Sequence, residues 1–232
     1  MNDFGLGVLL VRERLRGFGA LLVLLLSCAA VYAIGALERR HSATAELAAD
    51  TVLIGAVFGV ALPLLSYVLS DRVCEGKQLA RSVDVLARHG SSRRALVLGL
   101  LLGSALCMAV AGALLTTAAL LGVRPASASN SAFLRDLRVS VAIALLAGGV
   151  YALCFGLASR FGKRGGGRKW ALLLDFVLGA GGSLVALPWP RGHVRNLLGG
   201  TPVHDFSQAS AWLSLAALGV ISLTLSVLCT PE

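Results

Sequence analysis

The chain has 232 residues, of which 56% are hydrophobic and 14% charged, and its mean hydropathy is +0.80. This balance excludes an ordinary soluble domain and is typical of a polytopic helical membrane protein. The net charge is +9, but the basic residues cluster between apolar runs, which indicates membrane topology and not a nucleic-acid-binding surface. We therefore expect one all-α transmembrane domain over residues 1–232.

Six apolar runs are long enough to cross a bilayer as helices. They cover about residues 17–37, 51–70, 95–123, 139–159, 170–187 and 211–229. Ahead of the first run, Met1–Arg16 has a weak apolar face and predicts an N-terminal interfacial helix, since its charges come too late for a cleavable signal peptide. The second run contains Pro63, which we expect to kink the helix.

The second and third runs are joined by a polar stretch, residues 71–94, which predicts a short amphipathic helix over 77–89. Gly76 and Gly90 flank this helix, and glycine adopts the left-handed backbone of a helix end at little cost. The apolar face carries Leu79, Val83 and Leu86, and the opposite side carries Lys77, Arg81, Asp84 and Arg88. Two interpretations follow: a helix lying on the membrane surface, or a docking element that receives force from another protein.

The placement of Lys and Arg predicts the orientation. With six crossings, both termini, the stretch 71–94 and the basic loop 160–169 lie on one side, which holds 14 of the 21 Lys and Arg residues. The positive-inside rule assigns that side to the cytoplasm. We expect a multi-pass protein of a bacterial inner (plasma) membrane with both termini cytoplasmic.

Motifs for catalysis or ligand binding are weak in this chain. Gly162–Gly167 is glycine-rich and basic but lacks the spacing of a phosphate-binding loop, so a flexible cationic loop explains it better. Gly181-Gly182-Ser183 favours small-residue helix packing over a serine nucleophile, because the nearest histidines are predicted outside the membrane. We expect no catalytic residue, no metal site and no cofactor in this chain.

Asp175 is the one ionisable residue well inside a predicted run, where an acid usually faces a bundle interior or a partner. A structural interpretation pairs it with an Arg or Lys reaching in from the cytoplasmic side. A functional interpretation places it on a substrate path or at a subunit contact.

Residues 188–210 are too polar to span a membrane and too apolar for a simple linker. Prolines bracket Trp189, and Val194, Leu197 and Leu198 form a short apolar face that ends at a glycine pair. The pattern predicts a re-entrant stretch of one or two half-helices that dip into the outer leaflet. An ordinary external loop is the alternative.

Together these features resemble the type-2 permeases, which are transmembrane subunits of ATP-binding cassette (ABC) exporters. The most specific likeness is Asp71-x-x-x-Glu75-Gly76, a helix to Leu86, and His89-Gly90-Ser91-Ser92-Arg93-Arg94-x-x-x-x-Gly99. In that family the corresponding segment is the coupling helix, which docks in a groove of the ATPase subunit. Gly90 stands where many relatives have proline, and Leu100 where lysine is frequent.

The resemblance implies a permease subunit that forms half of a translocation path with a second copy or a related permease, embedded in membrane lipid. Separate ABC ATPase subunits would bind ATP and Mg²⁺, so this chain is expected to have no enzyme activity of its own. The residues implied in docking are Lys77, Leu79, Arg81, Val83, Asp84, Leu86 and Arg88. The three apolar ones would pack against the permease's own helix ends or line the ATPase groove.

Sparse charge within the apolar runs favours export of a hydrophobic or amphipathic substrate. A haem-handling permease of cytochrome c maturation has a similar size and is one subfamily that fits. The main rival is a non-transporting structural membrane subunit of a larger complex. An integral membrane enzyme is disfavoured because no polar catalytic cluster lies at one depth, and a secondary transporter because internal repeats are missing.

Overall fold

A computed structural model describes residues 2–124 and 129–231, apart from the side chains of residues 130 and 132. The helices in this part of the chain are α1 (Asp3–Leu15), α2 (Phe18–His41), α3 (Ala45–Thr51), α4 (Leu62–Val73), α5 (Asp84–Arg88), α6 (Arg93–Val123), α7 (Asn130–Ala158), α8 (Gly167–Leu178), α9 (Pro190–Leu197) and α10 (Gln208–Leu228). Three 3₁₀ turns cover Ala80–Val83, Lys163–Gly165 and Leu184–Ala186. All of the regular elements described are therefore helical, as the composition predicts.

Five helices are long and apolar enough to cross a membrane. They are Phe18–His41, Ala45–Val73, Arg93–Val123, Phe133–Ala158 and Gln208–Leu228. Lengths of 21 to 31 residues match the roughly 20 residues that a bilayer core requires. The prediction of a membrane-embedded helical protein is confirmed at this level, and α1 precedes these helices as a separate helix of 13 residues.

The sequence predicts one continuous helix over residues 170–187, but the structure does not have one. α8 ends at Leu178 after 12 residues, a length of about 18 Å, whereas a bilayer core is about 30 Å thick. Three glycines follow within four positions, at 179, 181 and 182. Glycine costs about 1 kcal/mol in a helix interior relative to alanine, which explains why the apolar run does not continue as a helix.

The irregularity expected at Pro63 begins ahead of the proline. Val52–Ala61, between α3 and α4, is wound as a π-helix, and the Leu62 N–H donates to the carbonyl of Val57 five residues back. Pro63 has no N–H to continue this pattern, so the wider winding ends where the proline begins. Ala45–Val73 is thus one helical unit with a change of winding near its middle.

Contacts between helix termini define two ends of the bundle. At the end that holds residues 71–94 and 160–169, called the basic end below, Arg160 donates to the Ser226 carbonyl (2.7 Å) and Arg94 to the Thr230 carbonyl (3.2 Å). At the opposite end Arg39 donates to the Arg124 carbonyl at 2.6 Å. Since α10 has 21 residues and finishes at the basic end, it begins about 31 Å away, near the opposite end.

Two apolar clusters hold the bundle together. The larger one includes Leu62, Met108, Leu115, Ile143 and Tyr151, from α4, α6 and α7. The smaller one lies at the basic end and joins α1, the 71–92 stretch and the first turns of α6. Within the larger cluster α6 and α7 approach closely at glycines, because a Cβ on Gly112 would lie 2.9 Å from the Ala144 carbonyl oxygen. Small residues at such crossings are usual in membrane helix packing.

Candidate functional site

The stretch between α4 and α6 is folded into a compact turn and helix at the basic end. Gly76 and Gly90 have φ of +65° and +92°, which confirms that both take left-handed backbone. At Gly90 the N–H donates to the Ala87 carbonyl (3.2 Å) and the Ser91 N–H to the Leu86 carbonyl (3.4 Å), a complete Schellman motif. Proline, with φ fixed near −65°, cannot replace Gly90 in this turn.

The predicted helix over residues 77–89 is shorter and broken. A 3₁₀ turn, Ala80–Val83, leads into α5, which has only five residues. The break lies at Val83, whose φ and ψ of −109° and 2° are not helical. The 77–89 unit is therefore two short turns of different pitch. Its side chains still divide into an inner and an outer set.

The inner set packs on the protein's own helix ends. Leu79 is completely buried and Val83 is 1% exposed, and both belong to the small cluster with Leu96 and Leu100 of α6. Leu86 is half-buried and packs against the same cluster. Of the two arrangements left open by the sequence, packing within the chain is the one observed. Leu79 and Val83 are therefore not available to line a groove on another protein.

The outer set is divided by its partners. Lys77 donates to Glu75 at 2.8 Å, and Asp84 pairs with Arg93 at 3.0 Å. Arg81 and Arg88 are exposed and have no ion-pair partner among the described residues. Of the four polar residues predicted for docking, these two guanidinium groups are thus free to meet an external carboxylate.

Val85 was not among the predicted site residues, and it is 70% exposed. Val85 and Arg88 lie three residues apart in α5, which places their side chains on one helical face, and Arg81 is exposed on the 3₁₀ turn just before them. The sequence already indicated this exposure, since Val85 falls outside the apolar face formed by residues 79, 83 and 86. We call Arg81, Val85 and Arg88 the outer ledge.

Arg168 fixes the base of the 77–89 unit, and sequence reasoning placed it only in the basic loop 160–169. Its side chain is 3% exposed, and it donates to Asp71 Oδ1 at 2.7 Å. It also donates to the carbonyls of Ser70 and Lys77, both at 3.3 Å. Next to it the Leu79 N–H donates to the Ser159 carbonyl at 3.2 Å. α4, the last turn of α7 and the first turn of α8 therefore meet around one buried cation.

Arg14 of α1 reaches the other side of the same unit. Its guanidinium donates to the carbonyls of Val73 and Ser82 and pairs with Glu75 at 3.2 Å. The hydrogen bond from Lys77, together with the positive charge of Arg14, lowers the pKa of Glu75 below its ordinary value, against the smaller opposing effect of burial. Glu75 is therefore ionised at neutral pH and holds both cations.

α1 is packed directly on α6. A Cβ on Gly7 would collide with the Leu96 carbonyl oxygen, and one on Gly99 with the Phe4 carbonyl oxygen. Asp3 Oδ2 also accepts the Ser92 N–H at 2.8 Å, just before α6 begins. The N-terminal helix predicted from the sequence is therefore a structural part of the basic end.

Asp175 is 2% exposed and joins three elements away from the ledge. Its carboxylate accepts the Tyr151 hydroxyl at 3.1 Å and the Arg191 N–H at 3.4 Å. Among the described residues its partners are thus a hydroxyl and a backbone amide, in place of the cytoplasmic Arg or Lys that we had expected. Arg191 belongs to α9, which follows α8 in the chain. Its guanidinium lies over the Phe176 ring, 4.9 Å from the centroid.

The 188–210 stretch contains a short helix, α9, packed into the bundle. Val194 is completely buried and Leu197 is 7% exposed, whereas Leu198 is half-buried. His193 hydrogen-bonds the Leu187 carbonyl (2.8 Å) through Nε2. The predicted apolar face therefore exists, and it contacts the protein's own helices. Before it, Leu184 and Val185 are 55% and 54% exposed.

The basic end thus combines a rigid support with an exposed ledge of two cations around one apolar side chain. Such a surface can make charge-assisted contacts with acidic groups on another protein, with Val85 as an apolar centre. A scan against protein-family models and a search of curated proteins found no match to this chain.

Proposed function

We propose that this chain is the permease subunit of an ABC transporter, which forms half of a translocation path and docks a separate ATPase through the 77–89 unit. The observation that carries the proposal is the outer ledge itself: two guanidinium groups, unpaired among the described residues, flank an exposed Val85 on a unit whose inner side chains pack on the protein's own helix ends. A unit that only rested on the membrane would not need its base fixed by a buried Arg168. In this proposal ATP and Mg²⁺ bind to the ATPase, not to this chain.

The support beneath the ledge suits force transmission. Arg168 connects the unit to α4 and α8, the Leu79 N–H connects it to the end of α7, and Asp84 connects it to Arg93 at the start of α6. A displacement of the ledge by ATP-driven closure would move these four helix ends together. Transmission would then be a rigid-body tilt of the attached helices, a common form of switching.

The proposed roles of the docking residues follow from their surroundings. Arg81, Val85 and Arg88 would contact the ATPase. Lys77 and Asp84 would keep the backbone of the unit in place through Glu75 and Arg93. The inner set, Leu79, Val83 and Leu86, would join the unit to the permease.

We also propose six crossings, the fifth of which is broken. α8 starts at the basic end and α10 starts near the opposite end, so residues 167–207 carry the chain from one end to the other. α8 supplies about 18 Å of that distance. The segment from Leu184 to Leu197 would form the re-entrant part, with exposed Leu184 and Val185 towards lipid. Both termini would then be cytoplasmic in a bacterial inner membrane.

The cargo proposed is hydrophobic or amphipathic, because charge is sparse among the long helices. A second copy or a related permease would complete the path. Asp175 would act mainly as a structural residue that positions α9 against α7 and α8. An Asp175→Asn variant keeps an acceptor oxygen for the Arg191 N–H, and its amide N–H can donate to the Tyr151 hydroxyl, which also accepts hydrogen bonds, so we expect it to assemble normally.

The experiment that tests this proposal is purification of the tagged chain from native membranes in mild detergent, with mass spectrometry of the proteins that accompany it. A stoichiometric cassette-type ATPase whose ATP hydrolysis responds to the permease in proteoliposomes is the expected result. Recovery of the intact chain with unrelated membrane subunits would contradict transport and favour the non-transporting structural role.

A further inference from the structure

A large groove runs along the side of the bundle next to the basic end. It is bounded by α7, α8, α10 and the segment Pro188–Pro190, and its volume is about 860 Å³. Its walls are mostly apolar, formed by side chains such as Leu157, Leu174, Leu218 and Ile221. None of the residues that bound it is important for the outer ledge, so its role is a separate question.

The two cations that border the groove lie at its basic end. The chain has three lysines, and Lys163 and Lys169 both border this groove. Lys77 pairs with Glu75, but Lys163 and Lys169 are exposed, and their ammonium groups have no ion-pair or hydrogen-bond partner among the described residues. No Asp or Glu lies among the groove's residues. The mouth is therefore positively charged without internal compensation.

Two tryptophans border the groove, one at its charged mouth and one farther in. Trp170 borders the mouth and is 65% exposed, and an indole ring favours the level of the lipid headgroups. Trp189 borders the groove deeper in the bundle, where its ring adds to the apolar wall.

We propose that this groove is a binding site for an anionic phospholipid of the leaflet at the basic end. The phosphate lies between Lys163 and Lys169, and an acyl chain lies along Leu174, Leu218 and Ile221. Lysine binds phosphate as a point charge, and basic pockets between membrane helices on the cytoplasmic side select anionic headgroups. The proposal does not depend on the transport function.

A lipid fits these observations better than a second copy of the chain. The negative headgroup of a lipid would meet the two lysines at the mouth of the groove, and its apolar tail would lie along the leucines farther in. A packed protein helix would bury the two ammonium groups and would have to supply acids at that level to compensate them. Charge complementarity thus favours the phospholipid as the occupant.

The test measures retention of phosphatidylglycerol against phosphatidylcholine by native mass spectrometry of the purified chain. The Lys163→Gln/Lys169→Gln variant is expected to lose the preference for phosphatidylglycerol by about fivefold for each lysine removed. Arg81→Gln/Arg88→Gln is the matched control, because it removes the same charge at the same end but outside the groove. It should keep the preference.

A second variant separates the apolar wall from the charge. Ile221→Trp fills the groove at a position that is 52% exposed, so the fold should tolerate it. Both lipids should then be retained less, although the lysines remain. Equal retention by wild type and both groove variants would overturn the proposal. So would efficient cross-linking of a cysteine at Leu173 to a second copy with no lipid retained.

Discussion

Arg168 shows how much of the basic end depends on one side chain. Arginine is rarely buried unless it is paired, and this guanidinium is paired with Asp71 and with backbone carbonyls of two loops. The same close packing leaves no room at Gly165, where φ is +70° and a Cβ would lie 2.7 Å from the Lys77 carbonyl oxygen. Each of these groups becomes unsatisfied or displaced if the cation is removed.

We expect Arg168→Gln to lower the free energy of unfolding by about 2–3 kcal/mol, because charge-assisted bonds to several acceptors are lost. Asp71 is half-exposed, so water would take part of the lost ion pair. Unfolding in mixed micelles with increasing SDS measures the change. Arg164→Gln, at the exposed neighbour, should shift it by less than about 0.5 kcal/mol. Equal stability of the two variants would contradict the role given to Arg168.

Residue-level prediction from sequence succeeded where local rules dominate. The left-handed glycines and the division of the 77–89 unit into inner and outer side chains follow from helix-end geometry and apolar spacing. Arg168 could not be identified in this way, because its partners lie 4 to 98 residues away and only the folded chain brings them together. Val85 could have been identified, since its position between two outward arginines is a local pattern.

At the level of elements, helix packing is decided by small residues at a few crossings. Gly7 and Gly99 allow α1 and α6 to come close enough that the Phe4 carbonyl lies against Gly99. Because the obstacle to a side chain there is backbone, a larger residue cannot be accommodated by rotation of a side chain. α1 would have to move away from α6, and Arg14 would move with it.

Gly99→Ala should therefore destabilise the protein by about 1–3 kcal/mol, in the range of overpacked cores. Thermal unfolding in detergent provides the measurement. Gly149→Ala is a matched control on α7, since its Cβ would meet nothing closer than 3.8 Å, and it should be neutral or slightly stabilising. If Gly99→Ala unfolds at the wild-type temperature, the close α1–α6 packing is wrong.

The re-entrant proposal for residues 184–197 has its own test. Protection of a cysteine at Leu197 would not separate membrane insertion from ordinary burial, since Leu197 is already buried by the protein. Val185 is 54% exposed in the chain, so its own chain would not protect a cysteine there, whereas lipid would. We expect Val185→Cys to resist a membrane-impermeant thiol reagent in vesicles and to react after detergent is added.

A cysteine at Arg40, which is exposed at the opposite end of α2, should react from the outside without detergent and serves as the positive control. Equal labelling of the two positions in intact vesicles would make residues 184–197 an external loop.

At the scale of the whole molecule, composition and run length predicted a helical membrane protein, and five of the six apolar runs overlap the long helices. The fifth run was the exception. Hydropathy records how apolar a segment is but does not record the glycines that stop a helix, and residues 179–182 are both apolar and glycine-rich. The position of α9 against the π-helical segment and α10 also depends on contacts that no local pattern contains.

Under the proposed function, the whole molecule is a force-receiving half of a transporter, with the outer ledge as its point of contact. Arg81→Glu/Arg88→Glu reverses the charge of that ledge without touching a buried group, because both side chains are exposed and unpaired in the described chain. The bundle, α1 and the Arg168 contacts should stay intact. Only an interaction with another protein would then change.

The most direct measurement is the amount of cassette-type ATPase that co-purifies with tagged wild type, with Arg81→Glu/Arg88→Glu and with Arg40→Glu, an exposed arginine at the opposite end of the bundle. We predict stoichiometric ATPase with the wild type and with Arg40→Glu, and at least a tenfold loss with the double variant, which corresponds to about 1.4 kcal/mol of binding free energy. Full recovery of the ATPase with the folded double variant, or its absence from the wild type, would contradict the account.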